Sequence, residues 1–124
     1  MKRLIIAGIL FVSVIAIYIT SLFYITNSCD EARNLLKAST TAYQKHSVAP
    51  KESEKLKNFW DKREKILSVF VNHERIDDIE EAISLLNVYA KSKNNELFYE
   101  YADTVKILLH QIMEDTKITV HSIF

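Results

Sequence analysis

Apolar residues fill the first part of the chain without interruption and recur at helical spacing in the rest. The stretch from Leu4 to Ile25 contains no charged residue and no proline. At ~1.5 Å rise per residue it would form a helix about 33 Å long, which matches a hydrocarbon core of about 30 Å. A helix of a soluble domain is rarely apolar on every face. The pattern therefore predicts a transmembrane helix over residues 4–25, in contact with the lipid bilayer.

Charged residues on the two sides of this segment predict its orientation. Lys2 and Arg3 lie in the short segment before it, and basic residues are preferentially retained in the cytoplasm. Phe23 lies near the other end, where aromatic rings favour the headgroup layer. We expect residues 1–3 to be cytoplasmic and residues 26–124 to form a domain outside the cytoplasmic membrane, after a single pass.

A cleaved secretory signal is the alternative interpretation of the apolar segment. The segment is longer than the ~7–15 residues of a signal core, and no A-x-A-like site precedes Cys29. The residues before Cys29 also lack the aliphatic residue that precedes an acylated lipoprotein cysteine. Because Cys29 is the only cysteine, the outer domain is expected to be stable without an internal disulfide. An intermolecular bridge through Cys29 remains an open alternative.

The segment after the span shows helical periodicity throughout. The chain has 1 Gly and 1 Pro in 124 residues, which argues against a turn-rich β structure and for helices. The pattern predicts an all-α fold, with the transmembrane helix followed by a small bundle of about four helices. The apolar positions of these helices are Ala32, Leu35, Leu36, Ala42 and Tyr43; Leu56, Phe59, Trp60, Ile66, Leu67 and Phe70; Ile76, Ile79, Ile83, Leu86 and Ala90; and Leu97, Tyr101, Val105, Leu108 and Ile112.

Capping and breaking residues predict where the first two bundle helices begin and end. Ser28 and Glu31 have the spacing of a capping box, which predicts a separate helix start just after the span. This helix is expected to end near His46, because the residue before Pro50 disfavours helical geometry. Pro50 suits the first position of the next helix, so residues 47–49 are the predicted linker.

The apolar face reverses its direction between Phe70 and Ile79. At ~100° per residue, the separation of these two residues places them about 180° apart on a continuous helix. One unbroken helix would then have to bury two opposite faces. We therefore predict a break between Val71 and Asp77, with a capping-box-like restart at Asp77.

The C-terminal part of the chain contains one more predicted helix. Residues 91–95 form a polar turn, where asparagine tolerates the left-handed conformation that ends helices. The last helix is predicted to run from about Glu96 to Thr116. The tail of residues 118–124 is apolar, and we expect it to fold against the bundle.

The charge balance and the lack of catalytic motifs argue against several classes of function. The 16 basic and 16 acidic residues balance, so the basic face that a nucleic-acid partner requires is not expected. The charged residues between Lys51 and Lys65 predict a solvated helix face, with a surface for lipid headgroups as the alternative. His73 and Glu74 begin an H-E-x-x-D sequence, whereas a zinc metalloprotease needs H-E-x-x-H with two imidazoles on successive turns. We expect no metal, no cofactor and no enzymatic activity.

Five short segments carry a family resemblance. They are the Lys2-Arg3 start with its span, Trp60-Asp61-Lys62-Arg63-Glu64-Lys65, Phe70-Val71-Asn72-His73-Glu74, Asp77-Asp78-Ile79-Glu80 and Ile123-Phe124. Together they resemble small membrane proteins, chiefly of Gram-positive spore-forming bacteria, that are grouped as a domain of unknown function. The resemblance covers essentially the whole chain, although an acid is frequent at the position of Asn72 and asparagine at that of Ser122. It implies the anchored helical architecture and a partnership with a multi-span membrane protein, and no activity, substrate or cofactor.

The sequence thus predicts a non-enzymatic interaction module that docks or supports another membrane protein at the outer face of the cytoplasmic membrane. A single anchor, the lack of a catalytic motif and an aromatic-rich outer domain are the basis of this prediction. The candidate interaction residues are Trp60, His73, Glu74 and Asp77, near the predicted helix break. The alternative is a domain that binds or senses a small molecule or cation through His73, Glu74 and Asp77.

Overall fold

The computed structural model describes residues 1–123, with side chains as far as Ile118, and this part of the chain is built from helices and their connections. The all-α prediction is confirmed for these residues. The four helices are α1 (Lys2–His46), α2 (Pro50–Phe70), α3 (His73–Ala90) and α4 (Asn95–Ile123).

Helix α1 carries both the apolar segment and the first helix of the bundle, without a break between them. Residues 2–20 are exposed apart from the half-buried Tyr18, whereas burial begins at Ser21. The separate helix start predicted at Ser28 is therefore wrong. Ser28 lies inside α1, and its Oγ accepts a hydrogen bond from Arg63 Nη1 of α2 at 3.2 Å. Backbone amides inside a helix are already bonded to carbonyls of the preceding turn, so no cap is needed there.

Residues 21–46 of α1 form a four-helix bundle with α2, α3 and α4. Each helix contacts the next one along the chain, and α4 contacts α1. The buried side of α1 carries several small side chains, which let the neighbouring helices approach closely; they are Ser21, Ser28, Cys29, Ala32 and Ser39. Large side chains of the other helices fill the centre, among them Trp60, Leu67, Ile79 and Phe98. The predicted bundle of about four helices is confirmed, with its first helix continuous with the apolar segment.

The helices α1 and α4 run antiparallel. Tyr43 of α1 stacks on Phe98 of α4 with ring centroids 3.8 Å apart, whereas Ile25 and Ile112 line a common groove. The bundle therefore has two distinct ends. We call the end where the exposed part of α1 leaves the bundle the base; it comprises residues 21–25, 69–72 and 112–118, around a groove that all three segments line. The opposite, distal end contains the two connections of residues 47–49 and 91–94. A hydrogen bond from the Ala49 N–H to the Ala90 carbonyl, 2.9 Å long, links the first connection to the end of α3.

The connections at the distal end agree with the predicted boundaries but differ in one detail. Helix α1 ends at His46 and α2 begins at Pro50, as predicted. Among the described residues that are not glycine, Ser47 after α1 is the one with a positive φ (62°). The prediction of an asparagine in the left-handed conformation after α3 is therefore wrong. Lys91 instead remains right-handed. Asn94 serves at the start of α4, where its Oδ1 accepts the Leu97 N–H at 3.3 Å.

The break between α2 and α3 is confirmed, but α3 restarts earlier than predicted. Val71 is extended and Asn72 is the N-cap, with its Oδ1 accepting the Glu74 N–H at 2.9 Å. The helix therefore begins at His73 and already includes Asp77. An asparagine oxygen satisfies an exposed helix-start amide as well as an aspartate does, which removes the need for a second cap at Asp77.

Helix α4 is longer than predicted and continues to Ile123. Ile118 is 62% exposed, so the expectation that the tail folds against the bundle is wrong at this residue. For residues 119–124 the same expectation lies outside the described side chains. The extension brings the end of α4 past the base, on the side where the exposed part of α1 lies.

Candidate functional site

Trp60, the first of the candidate interaction residues, belongs to the core. Its side chain is 0% exposed, on the face of α2 that points into the bundle. The Nε1 atom is buried and has no hydrogen-bond partner among the described residues. The structure thus separates Trp60 from the other three candidates, and its ring stabilises the fold from within.

His73, Glu74 and Asp77 are all exposed on the first turns of α3. They lie beside the base, because Asn72 lines the same groove as Tyr18 and Ser21 of α1. Their neighbour on α3 holds this corner in place: Arg75 Nη1 donates to Gln111 Oε1 at 2.6 Å and its Nε to Asp115 Oδ2 at 3.2 Å, both on α4. We call His73, Glu74 and Asp77 the α3 corner.

A cluster of acidic side chains lies between α2 and α3. Oxygens of Asp61, Glu64 and Glu80 all lie within 4.8 Å of one another, and the negative charge of Asp77 also acts on Glu64. The sequence interpretation included Asp77 but missed the other three. The signal in the sequence is that Asp61 and Glu64, like Asp77 and Glu80, are three residues apart. Such pairs share one helix face, and the α2–α3 hairpin turns the two faces toward each other.

The electrostatics of this acidic cluster follow from burial and from the proximity of like charges. Burial raises the pKa of Glu64, and a hydrogen bond with Glu80 raises it further, followed by the charges of Glu80, Asp61 and Asp77. Lys57 partly balances the cluster through an ion pair with Asp61 at 3.0 Å. Carboxylate oxygens are the ligands that hard divalent cations prefer. If the domain binds a cation, the candidate ligands are therefore Asp61, Glu64 and Glu80, and not His73 and Glu74.

The base of the bundle carries exposed apolar side chains on three helices. Phe23 of α1 is 74% exposed, Val69 of α2 75%, and Ile118 of α4 62%, and Phe70 is also exposed. A groove of about 300 Å³ at the centre of the base is lined by Leu22 and its neighbours on α1, by the α2–α3 junction and by α4. Soluble surfaces rarely expose several large apolar residues together, and such patches mark contact sites.

An arginine adjoins these apolar side chains. The Arg63 guanidinium lies 5.0 Å from the ring centre of Tyr24 and 4.9 Å from that of Phe59. It also donates to Ser28 Oγ, so its position between α1 and α2 is fixed. Arginine at such a place presents a positive charge next to an apolar surface, because its stem packs on the rings while its head remains polar.

Cys29 lies in the core, where its thiol is shielded from reagents. The side chain is fully buried, and burial raises the pKa of the thiol to about 12. Since the thiolate is the reactive form, this cysteine is unsuited to nucleophilic catalysis or to a bridge with a partner while the bundle is folded. The intermolecular disulfide that the sequence left open would require the bundle to open.

Comparison with known proteins identifies the family of this chain. The sequence pattern of the family described as a domain of unknown function (DUF4363) matches residues 19–123. The matched range begins where α1 enters the bundle, so it covers the bundle and omits most of the exposed helix. No curated protein and no solved structure matches the chain.

Proposed function

Because the chain belongs to the family of the domain of unknown function DUF4363, we propose a function from the shape of the molecule itself. The protein is a membrane-anchored, non-enzymatic interaction module that docks or supports another membrane protein at the outer face of the cytoplasmic membrane. The proposal includes the single-span architecture and the Gram-positive spore-forming source that the sequence resemblance implies. The observation that carries it is an apolar helical segment, residues 4–20, that lies outside the small helical bundle.

The exposed segment of α1 supports the interpretation that this part of the helix is a membrane anchor and not a core helix. Within the described residues, α1 is the one helix long and apolar enough to cross a bilayer, and only 6% of its most apolar window is buried. A core helix would cover this surface with its neighbours, but the bundle covers none of it before Tyr18. The cost of exposing so many apolar side chains to water favours a lipid environment.

The packing of α1 also supports retention of the segment over its cleavage as a signal. Ser21, Ile25 and Ser28 are buried in the bundle. Cleavage before Cys29 would remove all three and leave a gap along α2 and α4. A signal sequence is normally separate from the core of the mature protein, whereas here the apolar segment and the core share one helix.

The orientation follows from Lys2 and Arg3, which precede the segment and favour a cytoplasmic N-terminus. A reporter enzyme that works only outside the cytoplasm, fused after Phe124, is expected to be active. The same fusion with a reporter that works only inside should be silent. Activity of the cytoplasmic reporter would overturn the orientation and with it the proposed outer face.

The position of the α3 corner supports a membrane protein as the partner. His73 and Glu74 are exposed and lie beside the base, at the level where α1 leaves the bundle. With residues 4–20 in the bilayer, this corner lies at the membrane surface. A protein that binds both the corner and the exposed side of α1 must itself be in the membrane.

Copurification from native membranes tests this assignment. We expect the double variant His73→Ala/Glu74→Ala to retain the fold and lose the proteins that copurify with the wild type. His46→Ala is the matched control, because His46 is also an exposed histidine but lies at the distal end. Equal recovery of partners by all three proteins would place the docking surface elsewhere, and loss in His46→Ala would assign it to the distal end.

Binding of a divalent cation is the second candidate function, favoured by the proximity of the Asp61, Glu64 and Glu80 oxygens. If it is correct, Ca²⁺ or Mg²⁺ must raise the melting temperature of the full chain in detergent, because a ligand that binds only the folded state stabilises it. The double variant Glu64→Gln/Glu80→Gln should abolish that shift. No shift at millimolar cation would exclude this function.

A further inference from the structure

The length of the exposed part of α1 fixes where the bundle lies relative to a bilayer. The uncharged, largely exposed residues 4–20 span about 25 Å, slightly less than the hydrocarbon thickness of about 30 Å. Ser21, the first buried residue of α1, then lies at the edge of the hydrocarbon core. Since α1 continues without a break into the bundle, no spacer separates the two. The base must therefore lie within the headgroup layer, which is only about 5–8 Å thick on each side.

The exposed side chains of the base suit that layer. Phe23, Val69 and Ile118 are among the most exposed large apolar residues of the bundle, and they come from α1, α2 and α4. Phe70 adds an exposed ring at the end of α2. Each of these residues lies at the end where α1 leaves the bundle, so three of the four helices carry an exposed apolar side chain there.

Helix α4 extends this surface toward the membrane. It runs antiparallel to α1 and remains helical to Ile123, which is about 10 Å beyond Thr116. This last part points away from the distal end, in the direction in which α1 leaves the bundle. The exposed Lys117 at its start has the long apolar stem and terminal charge that are favoured at a lipid interface.

We infer that the base of the bundle is a second membrane contact, in which Phe23, Val69, Phe70 and Ile118 insert between the lipid headgroups of the bilayer that holds residues 4–20. The inference rests on the proposed membrane anchor. Lipid is the occupant because α1 passes from the bundle into the proposed span without a spacer, which holds the exposed apolar residues of α1, α2 and α4 at the level of the headgroups. The remaining helix, α3, carries the polar α3 corner, which remains available to the proposed partner.

Quenching of tryptophan fluorescence by brominated acyl chains tests the contact. Trp60 is the only native tryptophan and is buried in the core, so it supplies a constant background in every variant. The full chain is reconstituted in phosphatidylcholine vesicles, with and without bromine on the acyl chains. Tryptophan is added at Val69 in the base (75% exposed), at Val88 far from it (58% exposed) or at Leu10 within the anchor.

We expect the emission added by Leu10→Trp and by Val69→Trp to be quenched in brominated vesicles, and that added by Val88→Trp to be unchanged. Quenching of Leu10→Trp without quenching of Val69→Trp would overturn the inference and leave the anchor intact. Red-shifted emission would then show that the base is in water, and blue-shifted emission that a second copy of the chain covers it. Failure of Leu10→Trp to be quenched would overturn the anchor and the inference together.

Discussion

Replacement of Trp60 measures how far the bundle depends on one buried ring. The side chain is 0% exposed and lies on the face of α2 that points into the bundle, so its truncation leaves a cavity in the core. Truncation of a fully buried aromatic residue costs about 3–5 kcal/mol. We therefore expect Trp60→Ala to lose that much of a total stability of roughly 5–15 kcal/mol.

The conservative variant Trp60→Phe separates packing from hydrogen bonding. The indole Nε1 has no hydrogen-bond partner among the described residues, and an unpaired buried donor costs about 1–3 kcal/mol. Phenylalanine removes that donor but keeps most of the ring. We expect it to cost less than half as much as Trp60→Ala.

Urea unfolding of the full chain in mild detergent, followed by the helical signal in circular dichroism, provides the measurement. Tryptophan fluorescence is unsuitable because both variants remove the only tryptophan. Val88→Ala, at an exposed position, is the control and should change stability by no more than about 0.5 kcal/mol. A loss below about 1 kcal/mol for Trp60→Ala, or equal losses for the alanine and phenylalanine variants, would refute the packing argument.

Three further predictions concern ionisable side chains. The folded-state pKa of Glu64 lies above its ordinary value of 4.5, so the folded state binds the proton more tightly and stability falls as pH rises from 4.5 through the raised pKa. Glu64→Gln should remove that loss, and an unchanged slope of melting temperature against pH would contradict the assignment. Cys29, with its pKa raised to about 12, should resist maleimide at neutral pH until urea unfolds the bundle; rapid labelling of the native protein would show that the thiol is accessible. His73→Ala should change stability by at most about 0.5 kcal/mol, because His73 is exposed and its side chain makes no hydrogen bond within the described part of the chain. A loss as large as that of Trp60→Ala would show that the α3 corner is required for folding.

Periodicity was sufficient to predict the bundle, because each helix buries the face on which its apolar residues recur. Trp60, Ile79, Leu86 and Val105 were all assigned to such faces, and all are buried; Ile66 and Phe70, assigned to the same face as Trp60, are exposed instead. The phase reversal after Phe70 also located the break between α2 and α3. These features depend on spacing along one helix, which the sequence contains directly.

Local motifs were less reliable where tertiary contacts compete with them. The Ser28 capping box did not start a helix, because α1 continues and Ser28 instead accepts a hydrogen bond from Arg63. Helix α4 did not end at Thr116. The β-branched residues that follow lower helix propensity, but no glycine or proline stands there to terminate the helix.

The acidic cluster and the base could not be predicted because they depend on the register between helices. Asp61 and Glu64 lie on one helix and Glu80 on the next, and their distances are set by the two-residue connection at Val71 and Asn72. The base likewise combines three ends that are far apart in the sequence. Replacement of Asn72 by aspartate would preserve the cap, since both side chains offer an oxygen to the Glu74 amide.

With residues 4–20 in a bilayer, as proposed, the unbroken course of α1 would make the protein a rigid lever across the membrane surface. From Ser21 to His46 the helix extends roughly 38 Å beyond the base. A span that tilts by about 20° to match a thinner bilayer would swing the distal end sideways by roughly 13 Å. A flexible hinge would absorb such a motion, but α1 has none between residues 2 and 46. Bilayer thickness would therefore set the angle at which the bundle, and any protein docked on it, stands above the membrane.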